Sequence, residues 1–172
     1  MRWILAVLAL FAIMASPAQA QQSVLDRALA DAARTLARAM PKLNAVELGI
    51  PMASYKKALT RRLVRFNGAT ANAPISFVFA REGEGSCDRF VAYVRGPGAA
   101  MYLCPKFFSR GADAQRETTI LHEMVHIVAG PDECLAMAFT ARVQFVASGT
   151  FQPVAQYWAA NGCPQSKYAL PQ

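Results

Sequence analysis

Histidine is almost absent from this sequence, and acidic residues are outnumbered by basic ones. Only two of the 172 residues are histidines, and 18 lysines and arginines against 11 aspartates and glutamates give a net charge of +7. A basic protein of this kind favours anionic surfaces such as a cell envelope, although charge alone specifies no partner. We expect no specific nucleic-acid binding.

Long apolar runs are missing beyond the start of the chain. Arg2 precedes an apolar run over residues 3–14, and residues 18–20 (Ala-Gln-Ala) have the small-x-small pattern of a signal-peptide cleavage site. The run is too short to span a bilayer, so a membrane anchor is the less favoured alternative. We therefore expect a signal peptide over residues 1–20 and one domain over residues 21–172. This domain has no transmembrane segment, and we expect it to be secreted or periplasmic and monomeric.

Cysteine is scarce, and the four cysteines never form the Cys-x-x-Cys pattern of many structural zinc sites. An even number of cysteines in an exported protein instead predicts disulfides. Of the three possible pairings we favour Cys87–Cys104 with Cys134–Cys163, because each pair joins segments that are close in the predicted structure. The first pair flanks a predicted hairpin.

Apolar residues recur at helical spacing through most of the chain and alternate only in its middle. This pattern predicts an α+β protein, mainly helical, with a small antiparallel sheet before the helix that carries both histidines. The basic side of the second predicted helix, from Lys56 to Arg65, is expected to be a solvated surface, with polyanion binding as the alternative. We expect helices over residues 22–40, 55–66, 114–129, 133–147 and 153–161, and strands over residues 75–80, 89–94 and 100–103.

Both histidines lie in one motif, His122-Glu123-Met124-Val125-His126. Residues four apart lie on the same face of a helix, so two imidazoles there can bind one zinc ion at about 2.0–2.1 Å. Glu123 lies beside that face, where its carboxylate can accept a proton from the attacking water. The pattern H-E-x-x-H is typical of zinc metallopeptidases. Two partly buried core histidines are the alternative.

A catalytic zinc ion usually has three protein ligands, and this chain has no third histidine. We expect Asp132 to be the third ligand, because it follows His126 by a short Gly-Pro turn from which the chain can fold back toward the metal. Asp132 also occupies the expected N-cap of the next helix. Glu133 is the alternative ligand, and it begins a Glu-x-x-Ala sequence that resembles the third-ligand helix of thermolysin-like zincins.

Three segments carry a resemblance to a known family: Cys87-x-x-x-x-Ala-Tyr-Val, Met101-Tyr-Leu-Cys-Pro-x-Phe-Phe and Thr119-Ile-Leu-His-Glu-Met-Val-His. Together they resemble the aspzincins, the family of deuterolysin and the lysine-specific metalloendopeptidases, over residues 87–140. The resemblance implies a zincin-like fold, a zinc cofactor and an aspartate ligand that falls on Asp132. The short interval before this aspartate also resembles the site of snapalysin-like metzincins. The tyrosine that follows the aspartate in aspzincins has no counterpart here.

The motif and the resemblance together predict a secreted zinc-dependent metalloendopeptidase that acts on peptide or protein substrates. His122, His126 and Asp132 bind zinc, and Glu123 is the general base that later gives its proton to the leaving amine. Tyr157 is a candidate to replace the missing tyrosine, which stabilises the oxyanion in the family. The alternatives are a non-catalytic, envelope-binding protein on a zincin scaffold and a zinc hydrolase of cell-wall peptides.

Overall fold

A long helix begins the part of the chain that the structure describes. This computed structural model describes residues 16–61, 63–66, 69–95 and 100–172, with the backbone alone between residues 61 and 73. The helices of this part are α1 (Pro17–Ala39), α2 (Met52–Arg61), α3 (Asp113–Ala129), α4 (Glu133–Ser148) and α5 (Ala155–Ala160). Its strands are β1 (Val46–Glu47), β2 (Ile50–Pro51), β3 (Leu63–Phe66), β4 (Ala69–Pro74), β5 (Ser76–Phe79), β6 (Ala92–Arg95) and β7 (Ala100–Leu103). The architecture is α+β, as predicted.

The core lies where α1, α3 and α4 pack against one another. α1 buries a row of residues at the three- and four-residue spacing of one helix face: Leu25, Leu29, Ala32 and Leu36. α3 is central, since it also packs against α2 and β6. The helix that carries the histidines is therefore held on several sides, which makes it a rigid platform for a site.

Tyr55 fastens α2 to this central helix. Its hydroxyl donates a hydrogen bond of 2.7 Å to the carbonyl of Leu121, and its ring centroid is 4.6 Å from that of Phe139 in α4. The side chain is fully buried, and burial raises the pKa of its hydroxyl far above the usual range. The hydrogen bond gives the buried hydroxyl a partner inside the core. It also attaches α2 to α3 at Leu121, the residue before His122.

The predicted second helix is wrong beyond Arg61. Leu63–Phe66 forms β3, which pairs antiparallel with β4, so the basic residues from Lys56 to Arg65 do not share one helix face. The sequence Leu-Val-Arg-Phe favours a strand because it combines β-branched and aromatic residues. Asn67-Gly68, which suggested a helix end, is the dipeptide typical of tight hairpins, although these two residues lie outside the described part of the chain.

The sheet before α3 forms where it was predicted, but it is mixed, whereas an antiparallel sheet was predicted. β7 is the middle strand; it pairs antiparallel with β6 and parallel with β5. Met101 and Leu103 are fully buried, which suits the middle strand. The long loop over residues 80–91 carries the chain past β7, so that β5 and β7 run in the same direction. β6 is an edge strand of this sheet.

Both predicted disulfides, Cys87–Cys104 and Cys134–Cys163, are confirmed, each with a Cα–Cα distance of 5.3 Å. The first ties the loop over residues 80–91 to the end of β7. The second ties the start of α4 to the turn after α5. Two disulfides are compatible with an extracellular or periplasmic location.

The N-terminal predictions fall largely outside the described residues. Residues 1–15, most of the predicted signal peptide, are not described, and the predicted cleavage site at residues 18–20 lies in the first turn of α1. None of the described helices has both the length and the apolar character needed to cross a bilayer.

Candidate metal centre

Helix α3 positions all three motif residues. It runs without a break, so His122 and His126 lie one turn apart on the same face, with side chains that are 15% and 10% exposed. Gly130 ends the helix with a φ of 102°, a conformation that favours glycine. The chain turns there directly into α4, which brings the first residue of α4 against the two imidazoles.

The side chains of His122, His126 and Glu133 converge on one point. The two histidine Nε2 atoms are 3.1 Å apart, and Glu133 Oε2 is 3.1 Å from His122 Nε2. Glu133 Oε1 is 3.6 Å from His126 Nε2. The other ring nitrogen of His126, Nδ1, donates a 3.0 Å hydrogen bond to the carbonyl of Gly130, which leaves Nε2 facing the other donors.

These three side chains, which we call the donor group, have the geometry of a metal-ligand set. Donor atoms bound at about 2.0–2.1 Å in a tetrahedral site lie about 3.3–3.4 Å apart, and the observed separations of 3.1, 3.1 and 3.6 Å bracket that length. Their potential ligand atoms all lie within 4.8 Å of one another, and they are the only such group of His, Cys, Asp or Glu found in the described part of the chain. The hydrogen bond from His126 to Gly130 is the outer contact that commonly orients a ligating imidazole.

Asp132 lies next to this group but has another role. Its Oδ1 accepts a 3.0 Å hydrogen bond from the backbone N–H of Leu135, which makes it the N-cap of α4, and its side chain is exposed. The structure therefore brings together His122, His126 and the alternative ligand Glu133. Asp132, the ligand predicted first, is not part of this group.

Glu123 lies beside the histidines in a buried position next to the sheet. It is 7% exposed, and a backbone hydrogen bond from Val94 of β6 reaches its carboxylate. Burial raises the pKa of this carboxyl from 4.5 to about 8, against the lowering effects of His126 and Val94. A carboxyl group with a pKa near neutrality can both accept and donate a proton at physiological pH.

Charge is shared unevenly among the three converging side chains. Burial lowers the pKa of His122. Burial also disfavours the charged form of His126, but the carboxylates of Glu133 and Glu123 outweigh it and raise the pKa of His126 from 6.5 to about 9. Burial opposes the charge on Glu133, but its hydrogen bonds with both histidines hold its pKa well below the usual range. Without a metal, an imidazolium at His126 therefore neutralises the carboxylate. A metal ion has to displace the proton of this imidazolium.

Tyr157 completes the group from α5. Its hydroxyl donates a 3.3 Å hydrogen bond to Glu133 Oε2, and the side chain is 39% exposed. Burial and the charge of Glu133 raise the pKa of this hydroxyl to about 12, so it stays protonated at neutral pH. The disulfide Cys134–Cys163 joins the residue after Glu133 to the turn that follows α5, which supports this contact.

A cleft of about 680 Å³ opens over these residues. One wall is the whole of β6, and the loop residues Gly85, Ser86 and Phe90 form another. The cleft also contains Pro131 and Tyr157 beside the donor group. Its volume is in the range of ligand-binding clefts, and the donor group with its perturbed pKa values lies inside it.

Comparison with known proteins identifies no relative of this chain: no family model, no curated protein and no solved structure matches it. The resemblance to aspzincins is therefore a prediction from the three sequence segments alone.

Proposed function

We propose that this chain is a zinc-dependent endopeptidase. The observation that carries the proposal is the convergence of His122, His126 and Glu133 in an open cleft, with the buried carboxyl of Glu123 beside them. Two imidazoles and a carboxylate are the ligand set of many catalytic zinc sites, in which a fourth position is left for water or substrate. The proposed third ligand is Glu133, in place of Asp132.

The proposed reaction is hydrolysis of a peptide bond by water. A zinc ion at this site supplies the Lewis acidity that polarises the scissile carbonyl and acidifies the attacking water. Glu123 accepts a proton from that water and passes it to the amine that leaves. Its buried position beside the two histidines and against the backbone of Val94 suits this role, because it holds the carboxyl in one place for both transfers.

Tyr157 is the proposed source of oxyanion stabilisation. Its hydroxyl already lies at the donor group, 3.3 Å from Glu133 Oε2, and its raised pKa keeps the proton available for a hydrogen bond. A single well-placed donor of this kind contributes about 10²–10³-fold to the rate in other hydrolases.

The edge strand β6 is the proposed binding surface for the substrate backbone. Only one side of β6 is paired within its sheet, and all four of its residues line the cleft. An extended peptide that adds to this edge passes directly over Glu123, because Val94 of the same strand contacts its carboxylate. A backbone-directed contact of this kind suits an enzyme that cleaves within peptide chains.

We further propose that the protein is exported and that its site is a variant of the aspzincin arrangement. The apolar N-terminal run, the small-x-small site and the disulfides support export. The cysteine-flanked hairpin and the H-E-x-x-H helix support the aspzincin resemblance, while a glutamate ligand departs from it.

The test is to measure the zinc content and casein hydrolysis of the purified mature protein. We expect a single zinc ion per chain, hydrolysis that a chelator abolishes, and recovery when zinc is restored. Zinc without hydrolysis of casein or of any peptide in a mixed library would contradict the peptidase proposal and favour a binding protein. Hydrolysis of peptidoglycan alone would favour the cell-wall alternative.

A further inference from the structure

The cleft over the metal centre continues into a second cavity. This cavity has a volume of about 450 Å³ and shares Phe90, Ala92, His122, Glu123 and Tyr157 with the first. Because the shared residues include His122 and Glu123, the two cavities meet beside the metal centre and form one groove with two arms; His126 and Glu133 line the first arm alone. A substrate chain bound across Glu123 therefore extends into both arms.

Outside the metal centre, the charged side chains that line this groove in the described part of the chain are all positive. Among the described residues, Arg95, at the end of β6, is the only charged residue that lines the first arm apart from the centre, and Arg89 is the only one that lines the second. Both arginines are exposed, and neither forms an ion pair with another residue of the described chain. No carboxylate of the described part of the chain lines either arm outside the centre.

The remaining walls of the groove are neutral. The first arm has Gly85, Ser86 and Tyr93, and the second has Met137 and Val154 among its apolar residues. Charges at the walls of a cleft act on a ligand more strongly than charges on an open surface, because the cleft focuses their field. The carboxylate of Glu133 does not cancel the two arginines, since the histidines and a bound metal neutralise it.

We propose that the groove selects peptides with acidic side chains on both sides of the scissile bond, one facing Arg95 and one facing Arg89. This inference rests on the proposed peptidase function and names its substrate class. The two arginines determine which side chains are preferred in the groove, whereas the backbone of β6 and the metal centre bind the substrate backbone whatever its side chains.

The test compares peptides that differ only in charge. A short peptide with blocked termini carries Glu or Gln at each position around the cleaved bond, and kcat/KM is measured with zinc-loaded wild type. We expect about a two- to fivefold preference for Glu per arginine at low salt. This preference should vanish at about 1 M salt, where the Debye length is about 3 Å. A Gln peptide with a free C-terminal carboxylate separates recognition of side chains from recognition of the chain end.

Variants assign the preference to each arginine. Arg95→Gln should abolish the Glu preference on one side of the cleaved bond, and Arg89→Gln should abolish it on the other. Arg110→Gln, the same change at an exposed arginine that lines neither arm, should leave both preferences intact.

The outcomes separate this inference from the proposed function. Cleavage with no Glu preference, a preference unchanged in both groove variants, or a preference for the free chain end alone would overturn the inference and leave the peptidase standing. Failure of zinc-loaded wild type to cleave any peptide of the set would overturn both.

Discussion

Replacing Glu133 by Gln should weaken zinc binding far more than the same change at Asp132. Glu133 reaches both imidazoles, with oxygen–nitrogen distances of 3.1 and 3.6 Å, whereas Asp132 is engaged with the backbone of Leu135. The two residues are adjacent and undergo the same chemical change, from carboxylate to amide. Each variant is therefore the control for the other.

The magnitude follows from what each carboxylate contacts. Loss of an outer-shell partner typically costs 10- to 100-fold in metal affinity, so loss of a charged ligand should exceed about 100-fold, or about 2.7 kcal/mol. Asp132→Asn retains a good N-cap and removes only a neighbouring charge, for which we expect less than about a threefold change.

The assay is competition for zinc against a chromophoric chelator, with circular dichroism to verify that both variants are folded. A large loss of affinity in Asp132→Asn with little change in Glu133→Gln would refute the assignment of Glu133 and restore the aspartate that the sequence first suggested. Equal small effects would show that neither carboxylate is a ligand.

The remaining predictions concern protons, the oxyanion, a disulfide and the core. Without metal, stability should fall as pH rises from about 6.5 to 9, because the pKa of His126 is raised to about 9 and that of Glu123 to about 8, and each side chain loses its proton in the folded protein within this range. Zinc binding at pH 7 should release at least one proton, which calorimetry in two buffers would detect. Constant stability over this range with no proton release would contradict the charge assignment. Tyr157→Phe should weaken zinc binding about 10-fold through the lost hydrogen bond to Glu133 and should lower kcat of the zinc-saturated protein about 100-fold, so an unchanged kcat would exclude it as the oxyanion donor. Replacing Cys134 and Cys163 by Ser should lower the free energy of unfolding, measured by urea titration, by about 3–4 kcal/mol and should also weaken zinc binding. An unchanged zinc affinity in a competition assay would show that this disulfide does not support the metal site. Tyr55→Phe should cost about 1 kcal/mol in urea unfolding through the lost hydrogen bond to Leu121, and a cost near zero would count against that contact.

Much of the fold was predictable because its signals are local. α3 and α4 begin and end close to the predicted residues, since periodic apolar residues, Asp132 as a cap, and Gly130 and Gly149 as end points all agree. The disulfides were predictable because the predicted hairpin and helices already brought the paired cysteines close. β3 was missed because a helical pattern was extended across residues that favour a strand.

The candidate site was predictable only where it lies within one helix. The i, i+4 spacing places His122 and His126 together whatever the rest of the fold does. Glu133 follows His122 by 11 residues across a turn. Its contact with His122 depends on the direction that the chain takes after Gly130. The N-cap signal at Asp132 was the available clue, because a carboxylate that caps a helix is occupied and leaves the next residue free to be a ligand.

The role of Tyr157 depends on packing that no local pattern reveals. It lies 24 residues after Glu133 and reaches that carboxylate because α5 folds back beside the start of α4, where the disulfide Cys134–Cys163 joins the two segments. The predicted disulfide was the one sequence signal that could have linked this tyrosine to the site.

The most direct test of the account measures zinc content and peptide hydrolysis on the same preparation of Glu123→Gln, beside wild type. Glu123 contacts Val94 and lies outside the donor group, so the variant should keep its zinc ion and its fold. Its rate of hydrolysis should fall at least about 10²–10⁴-fold, the usual contribution of a general base. A zinc-loaded variant that hydrolyses peptides at the rate of wild type would contradict the proposed mechanism.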